Sequence, residues 1–107
     1  MNNYQNFLNA IDQKKIIKVK FNSQEKGMIE RDCVPFDFGP SRRNLSPNPD
    51  RYHLYDLNSP DGSHNLSILP EQIIIIEITS QSFEPADYIT WQPPYNWFIA
   101  RDWGAYS

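Results

Sequence analysis

From residue 17 to residue 79 the apolar side chains tend to fall at every second position, in short runs separated by Gly, Pro or Asn. A period of two is that of a strand with one face buried, so a β-sheet is predicted. The first run is the clearest: Ile17, Val19 and Phe21 face one way while Lys18 and Lys20 face water. A polar connector containing Gly27 follows, and residues 28–35 read as the returning strand. Pro35 has no N–H to donate and is expected to end that strand or lie at an edge. In residues 51–57, Tyr52 and Leu54 oppose His53, Tyr55 and Leu57. Asn58-Ser59-Pro60-Asp61-Gly62 is a strong turn, because Pro60 sets φ and Asp61-Gly62 suits a tight corner. Residues 64–68 then return, with Leu66 and Ile68 on one face. Pro70 starts a single helical turn, and residues 73–79 carry β-branched side chains on both faces, which predicts the most buried strand.

The two ends differ from this pattern. Tyr4, Phe7, Leu8 and Ile11 form one stripe of a short helix, with Asn2 or Asn3 as its N-cap. Such a helix is marginal alone and needs a surface to pack on. The last twenty residues hold seven of the fifteen aromatics, with Trp91, Trp97 and Trp103 spaced six apart. That spacing fits neither a helix face nor a tight hairpin, so the segment is expected to wrap the sheet or dock on a partner. With 107 residues there is material for one hydrophobic core. The predicted fold is mainly β: a small five-stranded antiparallel barrel, Src-homology-3-like or Sm-like. The helix and barrel take up 1–87, and an aromatic C-terminal extension occupies 88–107. The long segment 36–50, rich in Gly, Pro, Ser and Asn, reads as a loop between strands.

Composition narrows the function classes. A net charge of −3 excludes a histone-like polycation, although the residues through Arg43 carry eight Lys and Arg against five Asp and Glu. That local excess leaves room for an anion-binding face beside the plainer reading of a solvated strand. One cysteine excludes an internal disulfide framework and a Cys-based zinc site in a monomer. No apolar run is long enough to span a membrane, and the N-terminus does not look like a secretory signal. A bacterial-type cytoplasmic domain without membrane contact is therefore expected.

Three groups of residues carry the chemistry on offer. In Asp37-Phe38-Gly39-Pro40-Ser41-Arg42-Arg43 a turn can present Ser41, Arg42 and Arg43 to one phosphate, Arg being suited to bidentate contact. Alternatively, Asp37 pairs with an Arg and ties the loop down. Tyr52, His53 and His64 form a candidate pocket floor, with the two histidines expected as cross-strand neighbours. They lack the spacing of a metal site, and neither metal nor cofactor is expected. Trp97, Phe98, Arg101 and Trp103 can stack bases, yet core packing or a dimer interface through Trp91, Trp97 and Trp103 competes. Cys33, mid-strand, reads as a small buried hydrophobe rather than a nucleophile. No P-loop, GxSxG or GxGxxG is present, and no catalytic residue is assigned.

Several segments together resemble the WYL domain family. Residues 10–21 resemble its helix end and basic opening strand, and Arg31-Asp32-Cys33-Val34-Pro35 its second strand. Arg51-Tyr52-His53-Leu54 stands where the naming tripeptide falls, and residues 73–79 with Phe83-Glu84-Pro85 resemble its ending. The resemblance spans about residues 7–87 and none of the tail. The tripeptide here is Tyr-His-Leu, and the return strand offers His64 where the family carries basic residues. The resemblance implies a ligand- or nucleic-acid-sensing module of bacterial regulators, here without a helix-turn-helix. The expectation is thus a non-enzymatic module for an anionic ligand, such as a nucleotide or single-stranded nucleic acid. The alternative is a protein-interaction module or homodimer.

Overall fold

The computed structural model describes residues 2–41 and 48–107. Helix α1 (Asn3–Gln13) is capped by Asn2, whose side chain accepts the N–H of Gln5, and stops at Lys14 in the left-handed region (φ 55°). Five strands follow: β1 (Lys15–Ser23), β2 (Gly27–Pro40), β3 (Asp50–Asp56), β4 (His64–Ile68) and β5 (Ile73–Ser82). They form one antiparallel sheet in the order β4-β3-β2-β1-β5. The helical turn begun by Pro70 is present over Pro70–Gln72. Gly27 and Gly62 take the positive φ that their hairpin turns require.

Strand β2 is the spine of the sheet. Its first half pairs with β1 as far as Ile17 opposite Cys33, and its second half pairs with β3 from Cys33 opposite Asp56. Contrary to expectation, Pro35 does not end it and residues 36–40 are strand rather than loop. The ladder to β1 is over before Pro35, and the register to β3 slips directly after it. Pro35 faces Leu54 and Asp37 faces His53, leaving Phe36 as the extra residue of a bulge. The missing N–H therefore falls where the β1 ladder has ended and the β3 register is about to slip.

One sheet face packs on α1: Phe7, Ala10 and Ile11 meet a core that includes Ile17, Val19, Cys33, Tyr52, Leu54 and Ile76. Phe7 and Tyr52 sit edge to face at 4.9 Å. The other face is solvated where it carries Lys18, Glu30 and Glu77, and aromatic where the C-terminal tail covers it. Phe83, Ile89 and Trp103 of the tail region are buried, and Trp103 Nε1 donates to the Ile11 carbonyl at 2.9 Å. The tail is thus packed on its own sheet and on the end of α1.

The sheet is not closed into the expected barrel; β4 and β5 are its two edges. The outer edge of β5, which would have to meet β4, is taken by the helix. Asn3 Oδ1 accepts the Ile76 N–H at 2.9 Å, Asn6 Nδ2 donates to the Ile76 carbonyl at 2.9 Å, and Asn3 Nδ2 reaches Ile74 O at 3.5 Å. Two amide side chains here replace a sixth strand and shield an edge open to aggregation. As an edge strand β5 is also not the most buried one: Ile76 is buried, but Ile74 is 45% exposed. Replacing both Asn3 and Asn6 by Ala is expected to cost about 2 kcal/mol, roughly 1 kcal/mol for each well-formed bond lost. Urea unfolding should show the midpoint fall with an unchanged m-value; an unmoved midpoint would deny the edge its dependence on the helix.

Candidate functional site

The bulge in β2 turns Asp37 toward the tail. Although Asp37 is only 6% exposed, its carboxylate is fully engaged. Oδ2 accepts the N–H of Phe98 at 2.9 Å, and Oδ1 accepts those of Phe38 and Ile99, both at 3.0 Å. Arg101 adds an ion pair at 3.4 Å from Nη2 and donates from Nε to Ile99 O. The guanidinium has no exposed surface and sits in the corner of two indoles set 67° apart, 3.8 Å from the Trp97 ring centre and 4.4 Å from that of Trp103. Burial lowers the Arg101 pKa to about 10 while Asp37 pulls it up, so it stays charged at neutral pH. A desolvated cation packed against an aromatic face gains about 2 kcal/mol from each good contact. Asp37 does pair with an Arg, but the partner comes from the tail, 64 residues away.

Gly39 completes the attachment. A Cβ there would run into the Phe98 ring, so only glycine lets that ring rest against the β2 backbone. With Trp97 and Phe98 held in this way, a cleft of about 670 Å³ lies between the tail and the β2–β4 end of the sheet. Trp91, Tyr95, Trp97, Phe98 and Phe36 supply its aromatic surface; His53, Asn65, Ser67, Asn96 and Ser41 supply polar groups. Trp91 and Tyr95 are edge to face at 6.4 Å, and Trp91 meets Phe36 at 5.9 Å. His53 is held at both nitrogens, by Gly39 O at 2.9 Å and Ser67 Oγ at 3.0 Å. Among the described residues no Lys or Arg lines the cleft, and its one acid, Asp37, is already paired.

The residues singled out from the sequence separate on this geometry. Ser41 and His53 line the cleft. Tyr52 does not: as a strand neighbour of His53 it points to the opposite face, against Phe7 and Phe38. His64 is opposite Asp56 while His53 is opposite Ser67, so the histidines are not cross-strand neighbours. They face opposite sides about three strand positions apart, roughly 10 Å along the strand. His64 is exposed and its Nδ1 donates to Gly62 O at 2.9 Å. Arg42 and Arg43 lie outside the described residues. Of the three tryptophans, Trp91 is 44% exposed, Trp97 is half-buried and Trp103 is spent in the core. No group of three or more potential metal ligands occurs among the described residues.

Cys33 is buried, and its thiol pKa is driven well up by desolvation, with Asp56 and Asp32 adding to the shift. Arg31 Nε pairs with the buried Asp56 at 3.4 Å on the same side of the sheet. Phe36, Asn65, Ser67 and Tyr95 of the cleft carry no local signal as a group, since they come from three separate segments. Arg101 sits amid the aromatics, but nothing in its neighbourhood names Asp37 as its partner.

Compared with protein-family models, with curated proteins and with solved structures, the chain matches none. No helix is long and apolar enough to cross a membrane among the described residues.

Removing the Asp37 charge leaves Arg101 buried without its counter-ion, the costly half of breaking a buried pair. Asp37→Asn is expected to lower stability by about 3 kcal/mol or more and to diminish the near-ultraviolet circular dichroism of the tail tryptophans. A native-like spectrum and midpoint would show that the tail does not depend on this carboxylate. Because Cys33 is buried and its raised pKa keeps it a protonated thiol, a thiol reagent at pH 8 should modify it only after denaturant is added. Rapid labelling of the native protein would contradict the burial.

Proposed function

We propose that this chain is a non-enzymatic ligand-binding or regulatory module that takes the ring of a nucleotide, free or in single-stranded nucleic acid, in the cleft beneath its aromatic tail. The observation that carries this reading is the pairing of aromatic faces, Trp91, Tyr95, Trp97 and Phe98, with a polar sheet wall at His53, Asn65 and Ser67. Aromatic faces accept any base, and stacking on one is worth about 1–3 kcal/mol per base. The polar wall meets the base edge. The WYL resemblance points the same way, to a sensing module for such ligands.

The charge distribution sets the character of this binding. Without described cations in the cleft, affinity comes from the ring more than from phosphate neutralisation. Arg42 and Arg43, which follow Ser41 in the sequence, are the cations this reading assigns to phosphate.

Titration with nucleosides, nucleotides and short single-stranded DNA and RNA, followed by tryptophan emission at low and moderate salt, tests the reading. Saturable binding with a shallow salt dependence is expected. Trp91→Ala should weaken it about tenfold, the loss of one stacking face. Arg42→Ala with Arg43→Ala should flatten the salt slope further. If none of these ligands binds at low salt the reading fails, and the exposed Trp91 and Phe98 become contacts for another protein.

A further inference from the structure

The hydrogen bonds of His53 determine what the sheet wall can offer a ligand. The Gly39 carbonyl can only accept, so the proton of the neutral imidazole must sit on Nε2, 2.9 Å away. Nδ1 then carries the lone pair, and at 3.0 Å it can only accept. The Ser67 hydroxyl must therefore donate its single proton to Nδ1. That leaves Ser67 Oγ with lone pairs alone for anything that enters the cleft it lines. A rotatable hydroxyl usually serves donors and acceptors alike; this one is locked as an acceptor. The lock begins at a backbone carbonyl, so no rotation of Ser67 undoes it.

We infer that Ser67, set by His53, makes the cleft selective for rings that donate at their edge, namely amino-bearing bases such as adenine. This rests on the base-binding reading of the cleft. An exocyclic amino group satisfies Oγ, whereas a ring with no donor there leaves Oγ desolvated and unpaired, and a carbonyl sets two acceptors against each other. Ser67 is thus a specificity-determining residue and His53 a positioning residue that acts through it. Ser67 is exposed on the edge strand β4, so its hydroxyl is reachable and its replacement leaves the core untouched.

Adenosine and purine riboside, which differ only in the amino group, test this by calorimetric titration of the full chain. Adenosine should bind about tenfold more tightly, the factor that one unpaired polar edge costs. In Ser67→Ala the ratio should fall close to one. In His53→Phe the Ser67 proton is released, and the ratio should fall as well although the hydroxyl remains. Equal affinities in the native protein, or a ratio that survives Ser67→Ala, would overturn the selectivity while leaving base binding standing. Failure of both nucleosides to bind would overturn the base-binding reading and this inference with it.

Discussion

The organisation of this protein depends on one carboxylate. Asp37 gathers two backbone N–H groups and a guanidinium from a tail more than sixty residues along the chain, together with the N–H of Phe38. Removed from water, a carboxylate is tolerable only if it is hydrogen-bonded and its charge is balanced, and here the tail balances the charge and supplies two of the three backbone N–H donors. The reverse also holds. Arg101 is enclosed by two indoles and would be a buried, uncompensated cation without Asp37. Each charge is the condition for burying the other, so tail and sheet dock together.

The cleft follows from that docking. The bulge at Phe36 aims Asp37, and Gly39 two residues on makes space for the Phe98 ring. The same Gly39 gives its carbonyl to His53. Within five residues β2 therefore anchors the tail, seats one aromatic wall and orients the polar wall opposite. The open sheet matters too. Because α1 spends Asn3 and Asn6 on the edge of β5, β4 remains the other edge, and its Asn65 and Ser67, paired with Tyr55 and His53, share the face that the cleft occupies.

Much of the fold is legible in the residues because its causes are local. The period of two at Ile17, Val19 and Phe21, the Asn58–Gly62 turn, Pro70 and the stripe Tyr4–Ile11 each act within a few residues. Local reasoning fails where a distant segment supplies the reason. Pro35 reads as a strand end until β1 is seen to stop pairing at Cys33, and the four consecutive isoleucines read as the most buried strand until the helix is found at their edge. Of the residues singled out from the sequence, Ser41 and His53 line the cleft, whereas Tyr52 and His64 lie on the other side of the sheet. Tyr52 alternates away from His53, and His64 pairs three positions too far along.

By itself the sequence determined the elements: one capped helix, hairpins of alternating strands, a single proline-started turn and an aromatic terminus, all consequences of side-chain period and backbone stereochemistry. The tertiary structure alone decided that the sheet stays open, that Trp103 is core while Trp91 is rim, and that Asp37 belongs to Arg101. These outcomes depend on burial and on pairing across tens of residues, where the energy of a charge or an indole is set by what surrounds it in space and not by its neighbours in the chain.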